Sequence, residues 1–128
     1  MAGVRRAQIT LAFLAIAGAL AAGCGGGGSL PTAPAGTDVT VTAFDIGIRE
    51  TTLPPVKAGS VSIFYRDAGT SHTLKIKDAS GKDMGLFLHV SHKNASDLGT
   101  VDLKPGEYTV YCSIATHFDL MHRTLTVQ

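Results

Sequence analysis

The sequence has no tryptophan and only two cysteines among its 128 residues. Two thiols, Cys24 and Cys112, permit at most one disulfide, which excludes a small scaffold stapled by several bridges. Neither sign of charge is in excess: 11 Lys and Arg against 10 Asp and Glu leave a formal charge of +1. That balance excludes both the basic footprint of a nucleic-acid binder and an acidic solvating tail. No apolar run is long enough to cross a bilayer, which takes about 20 residues; the uncharged stretch over 9–22 has 14. Internal repeats are absent. What is present is one domain's length of chain. Its apolar fraction of 45% is ordinary for a folded domain, although one end of the chain inflates it.

That end reads as an address. Arg5 and Arg6 precede the apolar stretch, as in the positive n-region and apolar h-region of an export signal. The stretch closes on Leu20-Ala21-Ala22-Gly23-Cys24. Small residues before a cysteine resemble the bacterial lipobox, in which cleavage falls before the Cys and its thiol receives a diacylglycerol. Leu20 stands one place farther from Cys24 than in the commonest pattern. The resemblance implies a signal peptide over 1–23 and lipidation at Cys24. The protein would then be extracytoplasmic and lipid-anchored to a bacterial membrane, on its periplasmic or outer-surface side. Loss of Arg5 and Arg6 changes the net charge from +1 to −1, that is 9 basic and 10 acidic residues over 24–128. Residues 24–37 begin with the Cys and continue Gly-rich, then Pro-punctuated, which reads as a flexible linker. Its thirteen residues after the Cys have an r.m.s. span of roughly 20 Å. On this reading the folded domain is held near a membrane surface but is free to turn.

Residues 38–128 carry period-two alternation. Val39 and Val41, then Val61, Ile63 and Tyr65, then Leu74 and Ile76 each alternate with polar or outward positions. Val101 and Leu103, Tyr108 and Val110, and Leu125 and Val127 do the same. Pro54-Pro55, Ala58-Gly59, Ala68-Gly69, Ser80-Gly81 and Pro105-Gly106 punctuate the runs. Short strands separated by such turns predict an all-β sandwich or barrel. Residues 81–95 are the least readable: a loop, a short strand around Phe87, or a helical turn.

Register carries chemical information. If Leu74 and Ile76 face the core, His72 shares their face, and if Tyr108 and Val110 do, so does Cys112. The run after Tyr108 adds His117 and Met121 in one loop. Two imidazoles, a thiolate and a thioether form the trigonal His₂Cys set with a weak axial Met that holds blue copper. Thiolate and thioether favour Cu(I), imidazole tolerates both oxidation states, and a rigid plane rearranges little when an electron moves. Any one of these residues alone would read as core filler or a hydrogen-bonded structural residue. The set in this order reads as a site. His89 and His92 share a face only on a helix and read as solvated residues.

Asp67-Ala-Gly-Thr-Ser-His72-Thr-Leu, followed by Leu103-Lys-Pro-Gly-Glu-Tyr-Thr-Val-Tyr-Cys112, then His117 and Met121, resembles the cupredoxins, small blue copper proteins of the plastocyanin and azurin type. The resemblance covers nearly all of 38–128. It implies a Greek-key β-sandwich of about seven to eight strands and one type 1 copper, cycling between Cu+ and Cu2+. His72, Cys112 and His117 would be equatorial ligands, Met121 axial, and Tyr108 a packing residue. The chain departs from the family at Asp67, where Asn is frequent, and at Thr73, whose hydroxyl still suits a bridge to the Cys loop. It departs again at His122, which competes with Met121 for the axial position; Met121 is favoured. The implied function is one-electron transfer between redox proteins, by a monomer that is not an enzyme and binds no nucleic acid. The alternative is copper delivery or sequestration, against which a mature chain with only Met84 and Met121 as methionines argues. Copper enzymes need further His-rich motifs such as His-x-His, and none occurs.

Overall fold

The computed structural model describes residues 28–128. The expected signal peptide over 1–23 and the expected lipidation site Cys24 lie outside the described residues. Among the described residues eight strands form: β1 (Val39–Phe44), β2 (Gly47–Ile48), β3 (Gly59–Asp67), β4 (His72–Asp78), β5 (Asp83–Val90), β6 (Ser96–Leu103), β7 (Gly106–Tyr111) and β8 (His122–Val127). They make two four-stranded sheets, ordered β2-β1-β3-β6 and β5-β4-β7-β8. The β1–β3 pairing is parallel, with Val39 opposite Ile63, and the other pairings are antiparallel.

Alternation selects the inner faces. Val39, Val41 and Ala43 of β1, with Val61, Ile63 and Tyr65 of β3, are buried against Leu74 and Ile76 of β4, Val110 of β7, and Leu125 and Val127 of β8. Burying one such aliphatic side chain is worth roughly 1.5–3 kcal/mol, so a one-residue slip of any strand would forfeit several of these contributions together. The ambiguous stretch over 81–95 contains a full strand, β5. Leu86, Leu88 and Val90 point inward while Phe87 points out. At the β6–β7 corner the Tyr108 hydroxyl donates to the Lys104 carbonyl at 2.9 Å, so this packing residue also ties its own turn.

Residues 28–37 have a linker's composition, yet they lie along the outer face of β3. Arg66 donates to the Pro31 carbonyl at 2.9 Å, and the Ser62 hydroxyl lies 3.1 Å from the Gly36 carbonyl. Phe64 sits between those two residues on that outer face and is only 4% exposed. At the far end of this strap, Asn94 donates to the Gly28 carbonyl at 2.8 Å.

Candidate metal centre

The candidate residues gather at one end of the sandwich, and all come from the second sheet. His72 opens β4, Cys112 follows the last residue of β7, and His117 and Met121 lie in the loop that leads to β8. The loop is built by short-range hydrogen bonds. The His117 amide donates to the Ile114 carbonyl at 3.1 Å, and the Met121 amide to the His117 carbonyl at 2.8 Å. The Cys112 amide donates to the Met121 carbonyl at 2.9 Å and closes the loop at its base. Thr116 takes a left-handed φ of 71°, which is uncommon for a β-branched residue, and the turn delivers His117 next in sequence.

The ligand atoms of His72, Cys112 and His117 all lie within 4.8 Å of one another. The two rings have centroids 5.4 Å apart and are tilted by 54°. Cys112 Sγ lies 3.8 Å from His117 Nδ1. His72, Cys112 and Met121 are buried and His117 is partly exposed. Nδ1 of His72 is buried with no hydrogen-bond partner. A buried polar atom without a partner is costly, and a metal ion bonded there would remove the deficit. The donor set of two imidazoles and one thiol suits copper or zinc.

Thr73 joins β4 to the Cys loop, as its hydroxyl suggested. Its Oγ1 accepts the Ser113 amide at 2.9 Å, lies 2.8 Å from Ser113 Oγ, and is 3.6 Å from Cys112 Sγ. Met121 and His122, the two candidates for the axial position, are placed differently. Met121 is fully buried, whereas His122 pairs with Tyr111 at the start of β8, stacks on Phe118 at 4.8 Å, and engages the Phe118 carbonyl through Nδ1 at 2.7 Å. His89 and His92 are exposed, with their rings beside Ser71 and Ser91. Neither joins the cluster.

No protein-family model and no curated protein matches the sequence. Solved structures do match. An azurin from Methylomonas sp. strain J superposes with a TM-score of 0.60 at 14% identity, covering 73% of this chain and 99% of its own. Auracyanin A, a blue copper protein from Chloroflexus aurantiacus, gives 0.58 at 16% identity, covering 70% and 96%. A variant of amicyanin in its reduced Cu(I) form gives 0.51 at 14% identity, covering 75% and 86%. The chain has the cupredoxin fold.

Electrostatics at the mouth of this cupredoxin fold favour a neutral His72. Burial pushes the His72 pKa down and His117 adds to the effect, while Asp67 opposes it. A neutral imidazole is the form a metal requires. Two residues of the other sheet, Asp67 and Tyr65, lie within electrostatic range of His72 and Cys112. Asp67 is buried, with Oδ1 accepting the Gly69 amide at 2.7 Å and Oδ2 without a partner; burial raises its pKa. Tyr65 is fully buried with an unpartnered hydroxyl, and burial, then the neighbouring Cys112, raises its pKa. Alternation alone placed Tyr65 in the core, and nothing in the sequence marked it as a neighbour of Cys112. The surface around His117 carries Phe118 and Leu120, exposed by 37% and 60%.

Proposed function

We propose that this protein is a membrane-tethered type 1 copper protein that carries one electron at a time between extracytoplasmic redox partners. His72, Cys112 and His117 would hold the copper and Met121 would be its weak axial ligand. The observation that carries this reading is the approach of three ligand atoms to within 4.8 Å at a largely buried site. Copper supplies the one-electron chemistry, and the chain supplies rigidity. Cys112 is fixed by the closing hydrogen bond from its amide, His72 by its strand, and His117 by the loop turn. A site held in this way changes little when the charge of the ion changes.

The partly exposed His117 ring, framed by Phe118 and Leu120, is the natural exit for the electron. Redox encounters use small interfaces, below about 1,200 Å², and an apolar rim suits brief docking. A net charge of −1 in the mature chain provides little steering, and a lipid on Cys24 would compensate by raising the effective concentration near a membrane partner. Copper delivery is less well supported, because transfer of the ion needs accessible ligands and His72, Cys112 and Met121 are buried. A carrier is favoured over an enzyme by the likeness of the fold to an azurin and to auracyanin A, a blue copper protein.

The test is spectroscopic. Residues 28–128 loaded with Cu(II) should show an intense thiolate-to-copper visible band and narrow hyperfine splitting. Cys112→Ser should abolish both. A colourless Cu(II) complex, or a site that prefers zinc, would defeat the reading.

A further inference from the structure

The strap over 28–37 determines where any anchor leaves the domain. Ser62 and Arg66 lie in order along β3 toward Asp67, and they contact Gly36 and Pro31 respectively. The strap therefore runs opposite to β3, and its first described residue, Gly28, reaches Asn94. The Asn94 amide donates to the Asp67 carbonyl at 2.7 Å, and Asp67 ends β3 beside the loop that leads to His72. The strap thus begins at the end of the sandwich that carries the metal centre. Only residues 25–27 separate Gly28 from Cys24. Four Cα-to-Cα steps reach at most about 14 Å, whereas the far end of the sandwich lies a strand's length away, about 20 Å.

We infer that the strap converts the tether into a short leash attached beside the metal centre. The end bearing His117 is then held at the headgroup layer, and the redox partner is one embedded in the same membrane rather than one diffusing through the aqueous compartment. This rests on the lipid-anchor reading and replaces the expectation that the domain turns freely on a 13-residue linker.

The test uses the mature, lipidated, copper-loaded chain in phosphatidylcholine vesicles that carry an acceptor dye on the headgroup. A donor dye is attached in turn at Lys93→Cys, near the metal end, and at Lys104→Cys, at the opposite end. Both positions are exposed, and Cys112 is buried and occupied. Energy transfer from position 93 should exceed that from position 104 by about twofold or more, given ends separated by about 20 Å. Combining Arg66→Ala with Asn94→Ala, which frees the strap, should bring the two values together. The mass of the N-terminal peptide from the same sample reports the lipid. If Cys24 carries no diacylglycerol, the anchor reading falls and takes this inference with it. If Cys24 is lipidated and the two positions transfer equally in the unmodified strap, the leash is wrong and the anchor stands.

Discussion

Replacing Thr73 with valine removes one hydroxyl and almost nothing else. In the folded protein that oxygen accepts the Ser113 amide at 2.9 Å and faces Ser113 Oγ at 2.8 Å and Cys112 Sγ at 3.6 Å. A metal-bound thiolate has no hydrogen to give, so any hydrogen shared with the sulfur comes from Thr73. Donation stabilises negative charge on sulfur, and the reduced site holds one more electron than the oxidised one. Losing the donor therefore lowers the reduction potential. An interaction worth about 0.5–1 kcal/mol more in the reduced state corresponds, at 59 mV per tenfold for one electron, to a fall of about 20–40 mV. The stability cost is separate. A buried amide-to-hydroxyl bond is worth about 1 kcal/mol, and Ser113 is exposed enough for water to recover part of it. Redox titration of the copper-loaded Thr73→Val variant measures the first effect, and denaturant unfolding of the metal-free protein measures the second. Thr73→Ser should keep the parent potential. A potential that is unchanged or raised in Thr73→Val would refute the assignment of Thr73 as donor to Cys112.

The buried Tyr65 hydroxyl has no partner, so Tyr65→Phe should stabilise the metal-free domain by about 1 kcal/mol; a loss of stability in urea titration would reveal a bond to that hydroxyl. Burial raises the Asp67 pKa, so the folded state keeps this proton above pH about 4, where the unfolded chain releases it. Metal-free stability then falls as pH rises through that window. Asp67→Asn has no such proton, so it should gain on the parent as pH rises above about 4 and converge with it below, as followed by melting curves across pH. Met121→Leu is nearly volume-conserving and should cost under about 1.5 kcal/mol while raising the potential through loss of a donor. His122→Ala should leave the visible band in place, and a shifted band there would exchange the roles of the two residues.

Much of this architecture is readable from residue order, and the parts that are not have physical reasons. Strands such as Val61 to Tyr65 have one buried face and one solvated face, so alternation shows them directly. In β5 the largest apolar side chain, Phe87, points outward at 60% exposure. Gly85, with φ of 86°, further interrupts the pattern, so neither period stands out. The two residues of β2 are too few for any periodicity. The clustering of His72, Cys112 and His117 is legible because strand register determines the face that His72 and Cys112 take, and His117 follows Cys112 by five residues in one loop. The strap is illegible for the opposite reason. It is held by Arg66 and Asn94 reaching its backbone carbonyls, and every residue offers a carbonyl. Composition therefore cannot distinguish a docked segment from a free one.

The four candidate ligands all belong to the β4-β7-β8 part of a single sheet. A sandwich flexes most readily by sliding or splaying its two layers, since side chains make most of the join; here one short backbone bridge, Val56 with Val127, adds to it at the edge. Such breathing would change the electrostatic influence of Tyr65 and Asp67, which lie on the opposite layer. It would leave the distances among His72, Cys112 and His117 governed by backbone ladders and the loop closure. The protein thus has two independent adjustments: one layer sets the geometry of the centre, and the other sets the polarity over it. Substitutions in β3 can then tune the energy of the transferred electron without disturbing the frame that holds it.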